Sequence, residues 1–260
     1  MAPPDAVSPA ARGRGPSPVS LFAFLPHFAA SARHSGLGLP HLCDVLHAAP
    51  RRARLRNGIV TRFGYRNGAA GEWRITMFLR SERLFLRPGW PEDWEELCGQ
   101  IADEQVVRNL ASAPWPYAGE DARSFLALPQ SHRHPRFLIT VPDAPGARIV
   151  GGIGLDKIEG GVELGYWVAR DHWGQGYASE AARSVVALAE TLGHRRVTAQ
   201  HFIDNPASGR VLEKTGFRRT GRVVERFSKG RGKACPVRSY ELALGPSRTC
   251  DDLLGCKRAA

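Results

Sequence analysis

The chain has 260 residues, of which 43% are hydrophobic, and a formal net charge of +11. That length suffices for one sizeable core, or for a core with an appendage, and the sequence holds no apolar run of the about 18 residues that a membrane-spanning helix needs. The charge is uneven: residues 1–76 carry ten arginines, no lysine and the acids Asp5, Asp44 and Glu72, a balance of +7 against +4 for the remainder, so the basic total reflects the leading segment more than a nucleic-acid surface.

Five cysteines (Cys43, Cys98, Cys235, Cys250 and Cys256) are scattered along the chain. An odd, sparse set makes no disulfide framework and points to a reducing, cytoplasmic compartment. Cys250 and Cys256 lack the His or Cys pair that would complete a zinc site, and His41, Cys43 and His47 form only a loose grouping. No metal is expected.

Residues 1–76 are rich in Ala, Arg, Pro, Gly and Ser and show no sustained helical or strand period. Three readings stay open: a disordered tail, an arginine-rich, acid-poor targeting segment, or a stretch upstream of the true start. Met1 and Met77 are the two methionines, and Met77 stands just before the first convincing strand. The third reading is favoured, and an intact mass near the full 28.4 kDa would sink it.

From there the elements follow quickly. Residues 84–88 alternate as a strand ending at a proline. Residues 92–102 form an amphipathic helix with Trp94, Leu97, Cys98 and Ile101 on one face. Ala113–Tyr117 is a break, and residues 119–128 form a second helix with Ala122, Phe125 and Leu126 inward. Residues 136–141, 147–155 and 162–169 read as strands, with Gly160-Gly161 as the turn before the third. A helix over residues 179–193 puts Ala182, Val185, Val186, Leu188, Ala189 and Leu192 on one stripe. A strand over 196–201 and a helix over 205–215 follow, the helix closed by Gly216. Strands over 217–227 and 237–244 complete a domain spanning 77–245, and residues 246–260 read as a tail.

The join between the third of these strands and the long helix carries the chemistry. Val162–Ala178 reads VELGYWVARDHWGQGYA. Gly174 and Gly176 remove side chains where the helix begins, and a helix start offers unpaired N–H groups and a partial positive charge. Such a start suits a phosphate-bearing ligand. The plain alternative is a tight turn that needs glycine only for packing. Neither a P-loop nor a dinucleotide fingerprint fits.

This stretch resembles motif A of the GNAT superfamily of acyl-CoA N-acyltransferases, with Asp171 where that pattern has Gln or Arg and Gly174-Gln175-Gly176 as its glycine core. The wording ELGYWVARDHWGQGYASEA is similar to the RimJ/RimL-type branch. A second block, Asn205 to Phe217, fits the same branch. The resemblance covers residues 81–244. It implies an α+β fold with a mixed, mostly antiparallel central sheet flanked by helices, whose strands splay at the acyl-CoA site. It also implies an acetyl-CoA-dependent transfer to a primary amine, either a protein N-terminus or a small molecule.

The resemblance further implies site residues. The pantetheine arm of acetyl-CoA would pair with Trp167, Val168 and Ala169 like an added strand, with the Val168 N–H polarising the thioester carbonyl. Trp173, Gly174, Gln175, Gly176, Tyr177 and Ala178 would cradle the diphosphate. Ser208 would lie near the sulfur and Asn205 would bond the pantetheine, although both residues also suit a helix start. The position that often carries an acidic tyrosine is Leu212. Lys214 reads as a surface or structural lysine, and Tyr240 is a weaker acid candidate with core packing as its default. Trp115 and Tyr117 could border the acceptor, with packing as the default. Glu163 is a candidate base; it equally suits pairing with an arginine. A homodimer is compatible with the resemblance, a membrane partner is not expected, and nucleic acid is disfavoured. The non-enzymatic alternatives are an acyl-CoA sensor and an RNA- or ribosome-binding module built on the basic run from Arg218 to Lys233.

Overall fold

The computed structural model describes residues 51–55, 58–67, 72–143 and 146–245, with side chains from residue 77 onward. Among them is a ten-stranded sheet in the order β1-β2-β3-β4-β5-β6-β7-β8-β10-β9. Its strands are β1 Arg51–Leu55, β2 Gly58–Asn67, β3 Glu72–Arg80, β4 Phe85–Arg87, β5 Arg136–Asp143, β6 Gly146–Ile158, β7 Gly161–Val168, β8 Arg196–Phe202, β9 Arg218–Ser228 and β10 Lys233–Ala243. The β7–β8 pair is parallel; the other pairs are antiparallel. Helices α1 Trp94–Ile101, α2 Glu104–Val107 and α3 Gly119–Leu126 precede β5, while α4 Tyr177–Thr191 and α5 Pro206–Lys214 flank β8.

From β4 onward the order is the one expected from sequence, with α2 added. In the leading segment the sequence shows no period, yet the backbone of β1, β2 and the start of β3 is strand there, held by ladder pairing rather than by a legible apolar face. Met77 lies within β3, its side chain in the core at 4% exposure, so a start at Met77 would remove β1, β2 and half of β3. Residues 1–50 and the tail lie outside the described residues.

Two apolar clusters cover the two faces of the sheet. Alternation along β7 sends Val162, Leu164 and Tyr166 to one face, where they meet Ala182, Val185, Leu188 and Ala189 of α4. The opposite face takes Trp167 and Ala169, which pack with Leu97 and Ile101 of α1, Val106 and Val107 of α2, and Ala122 of α3. The Trp167 indole lies over β6, where a Cβ at Gly152 would stand 2.6 Å from its Nε1. Glycine at 152 is what lets the ring lie flat on the strand.

Candidate active site

The start of α4 is built from the two glycines. Gly174 and Gly176 have φ of +77° and +81°, a region that costs a side-chain-bearing residue about 1–2 kcal/mol. Gly176 is the N-cap and no side chain caps the helix. The first intrahelical bond runs from the Glu180 N–H to the Gly176 carbonyl, which leaves the N–H groups of Tyr177, Ala178 and Ser179 facing the cleft wall. A Cβ on Gly174 would meet nothing within 4 Å, so the space above this turn is open.

Arg83, unnoticed in the sequence, fastens the cradle from the β3–β4 turn. Its N–H and Nε each donate to Glu180 at 2.8 Å, its Nη1 donates to the Gln175 carbonyl at 3.1 Å, and its guanidinium lies over the Tyr177 ring. Burial pushes the Glu180 carboxyl up, but bonds from Arg83 and Ser81 outweigh it and hold it below its ordinary range. Gln175 is exposed and outside the cleft lining, its side-chain amide folding back to donate to the Asp171 carbonyl at 3.2 Å.

Beside the cradle the sheet opens. β7 pairs with β8 only through Val162, Glu163 and Leu164. Beyond them β7 continues to Val168, while β8 stays paired with β10 from Arg196 to Phe202. The gap is a cleft of about 680 Å³ that passes from the α4–α5 side of the sheet to the α1–α3 side. Ala169 donates its N–H to Val150 of β6, so by alternation Tyr166 and Val168 present their backbone groups to the gap. Among the three residues expected at the open edge, Val168 therefore sits there, Trp167 turns its backbone toward β6, and Ala169 has already committed its N–H. The Val168 carbonyl accepts a 2.7 Å bond from the Trp173 indole. That bond staples the cradle loop to the strand.

The wall formed by α5 carries the second sequence block. Asn205 caps the helix, its side-chain oxygen accepting from the Ser208 N–H at 3.2 Å, so the capping role is realised while the residue also lines the cleft. The Ser208 hydroxyl is 2.7 Å from the Tyr166 hydroxyl. Burial holds the Tyr166 phenol well above its ordinary value, partly offset by the Ser208 bond. His201 lines the same cleft from β8. Its Nδ1 lies 2.8 Å from the Phe202 carbonyl, which only accepts, so Nδ1 carries the proton. Its Nε2 is buried without a partner, and burial keeps the ring below its ordinary pKa.

On the α1–α3 side, Glu163 is 8% exposed and its two oxygens receive Arg226 of β9 at 2.7 and 3.2 Å. Arg226 also donates to Gln200 of β8. The arginine partnership weighed for Glu163 is thus present, and the carboxylate still lines the cleft next to Asp156, its cross-strand neighbour. Tyr117 lines the cleft and is 8% exposed, whereas Trp115 is exposed and stands outside the lining. The β9–β10 turn closes over this side: Lys229 N–H donates to the Ala111 carbonyl, and Arg231 pairs with Asp204 at 2.7 and 2.9 Å. Arg219 pairs with Glu213. Three cations of the basic run, Arg219, Arg226 and Arg231, are therefore paired with acids. Among the described residues no group of three His, Cys, Asp or Glu stands ready for a metal, and no helix is long and apolar enough to cross a membrane.

Comparison with known proteins agrees with this geometry. The family model for the acetyltransferase (GNAT) domain matches residues 83–218, over half of the chain. An uncharacterized N-acetyltransferase, YoaA of Bacillus subtilis (strain 168), is 32% identical over 173 residues, covering 63% of this chain and 95% of the relative. The uncharacterized N-acetyltransferase p20 of Bacillus licheniformis is 28% identical over 172 residues, 63% of this chain and 94% of that protein. Among solved structures, a GNAT-family acetyltransferase from Bacillus anthracis superposes with a TM-score of 0.56 at 26% identity, over 64% of this chain and 98% of the other. RimL, a ribosomal L7/L12 alpha-N-protein acetyltransferase solved with coenzyme A, shares the fold at a TM-score of 0.54 and 20% identity, over 63% and 96% of the two chains. With its sheet, its parted strands and its glycine cradle in the matched region, the chain belongs to the GNAT family of acetyltransferases and is an N-acetyltransferase.

Proposed function

We propose that the chain moves an acetyl group from acetyl-CoA directly to a primary amine in the gap between β7 and β8. What carries this reading is the parting of those strands after Leu164, with a phosphate cradle at one mouth and a helix-lined chamber at the other. The diphosphate sits on the N–H groups that open α4. The pantetheine arm runs along the free edge at Tyr166 and Val168, as an added strand would.

In the reaction the amine nitrogen attacks the thioester carbon. The Val168 N–H receives the oxygen as it gains charge. The carbon–sulfur bond breaks, and the leaving thiolate accepts a hydrogen bond from Ser208. Tyr166, kept protonated by burial, donates to the Ser208 carbonyl at 3.1 Å and holds the Ser208 hydroxyl 2.7 Å from its own oxygen, which positions the serine beside the sulfur. The proton lost by the amine passes through water or Glu163 and ends on the thiol, so the charges balance.

The acceptor approaches past Leu97, Ile101, Val106 and Tyr117 toward Glu163 and Asp156. Apolar walls over buried carboxylates favour an amine flanked by an apolar group. A protein N-terminus, the acceptor in the name of the RimL relative, and a compact small-molecule amine both meet that description. The test is release of free CoA thiol by the full chain with acetyl-CoA and a panel of N-terminal peptides, amino acids, polyamines and aminoglycosides. Release with one acceptor class, with the acetylated product seen by mass, is the expected result. Binding of acetyl-CoA with no release from any class would leave a sensor of acyl-CoA instead.

A further inference from the structure

Between α2 and α3 the chain runs along one wall of the cleft, and residues 108–113 all line it. The β9–β10 turn is laid against the outer side of that wall. The Arg231 Nε donates to the Arg108 carbonyl at 2.6 Å, the Ser228 hydroxyl to the Leu110 carbonyl at 2.9 Å, and the Lys229 N–H to the Ala111 carbonyl at 2.9 Å. Gly230 lets the turn come this close: a Cβ there would stand 2.6 Å from the Val107 Cγ1 and 3.2 Å from the carbonyl oxygens of Val107 and Ala113. The Arg231 guanidinium also donates to both Asp204 oxygens, which ties the turn to the loop before α5. Residues 228–231 are not part of the cleft lining, so the three carbonyls they hold are turned out of the cleft.

The same wall has committed its donors. The N–H groups of Val106, Val107, Arg108, Asn109 and Leu110 all bond back to carbonyls of residues 103–107. The Asn109 side-chain amide donates to the Gln105 carbonyl. What this stretch offers the cleft is side-chain surface: Val106 belongs to one apolar cluster with Leu97, Ile101 and Tyr117, and Leu110 packs against it. A polypeptide in an extended site is held largely by main-chain bonds, and each of its N–H and C=O groups buried without a partner weakens binding. The cleft of about 680 Å³ must also hold the pantetheine arm in the function proposed above, on which this inference rests. We propose that the acceptor is a compact apolar primary amine gripped by side chains alone, and that the β9–β10 turn, locked through Arg231, keeps polypeptide N-termini out. The transfer is otherwise unchanged: the acetyl carbon bonds to the amine nitrogen and CoA leaves as the thiol.

The test compares kcat/KM of the full chain, followed by CoA thiol release, for two small amines and for peptides. The amines are phenethylamine and isoamylamine; the peptides are hexapeptides beginning with Ala, Ser or Met. The wild type favours the small amines by about a hundredfold or more, the scale set by leaving peptide groups unpaired in a buried site. In Arg231→Ser the turn is cut from Arg108 and Asp204, and the ratio narrows severalfold. Acetyl-CoA affinity, measured by calorimetry, shows that the variant is folded; if it is not, the wild-type ratio decides alone. Hexapeptides turned over by the wild type on a par with the small amines, or a ratio unmoved in the folded variant, overturn the inference and leave the transferase reading standing. Turnover of neither class while acetyl-CoA binds overturns that reading and this inference with it.

Discussion

At the scale of single residues, the candidate site rests on contacts between segments far apart in sequence. Ser208 was legible as a helix-start residue near the cofactor, but its partner Tyr166 lies 42 positions away and reads locally as one more strand former. If Tyr166 positions the Ser208 hydroxyl beside the sulfur, Ser208→Ala lowers kcat about ten- to a hundredfold with little change in acetyl-CoA affinity. Tyr166→Phe then lowers it less, and steady-state kinetics with CoA thiol release checks both. Gly174 and Gly176 were legible because positive φ and absent side chains are written in the residue type. Gly176→Val strains the N-cap and adds bulk at the cradle, so its KM for acetyl-CoA rises severalfold while the fold persists. Glu163 was readable as an acid in need of a partner; that the partner is Arg226, 63 positions on, was not. His201 gave one usable signal, the inward alternation Val197, Ala199, His201 along β8.

At the scale of elements, the helices and strands with a strong apolar period stood out, and α4 buries the stripe expected of it, with Ala182, Val185, Leu188 and Ala189 all at 0% exposure. Helix α2 was missed because its four residues, Glu104–Val107, are too short to show a period. The fastening of α4 to the β3–β4 turn was hidden for another reason: Arg83 and Glu180 are 97 positions apart. This contact gives α4 a pH dependence. A carboxyl held below its ordinary 4.5 on folding contributes stability that is complete above that value and lost as pH falls through the folded value. The melting temperature therefore drops as pH falls below about 4.5, and Glu180→Gln flattens that part of the profile, as thermal melts across pH 3–7 check. The strut between β7 and β9 has its own consequence. Arg226→Met leaves Glu163 at 8% exposure without its counter-charge. Because Arg226 is itself partly exposed, the loss is about 2 kcal/mol, below the range for fully buried pairs. Urea unfolding measures it, and Arg226→Met/Glu163→Gln recovers part of the loss.

At the scale of the whole molecule, the sheet explains why the function is where it is. An all-paired sheet would have no free backbone at its centre; here one parallel pair, held over only Val162–Leu164, opens into the cleft. Apart from α2, the order of elements from β4 to β10 was legible in the sequence because glycine turns and apolar periods mark most boundaries. The parting itself was not written in any residue; it came from resemblance, because strand pairing is a property of two segments together. The ladder of β1, β2 and β3 escaped notice for the same reason. The central claim is that the thioester carbonyl meets the Val168 N–H at that opening. The most direct measurement is the amide spectrum of the full chain labelled with ¹⁵N-valine, titrated with acetyl-CoA. The account predicts a downfield shift of the Val168 amide proton that saturates with cofactor binding, with the Val141 amide, on β5 two strands away from the gap, nearly still. Saturable binding that leaves the Val168 amide unmoved would contradict it.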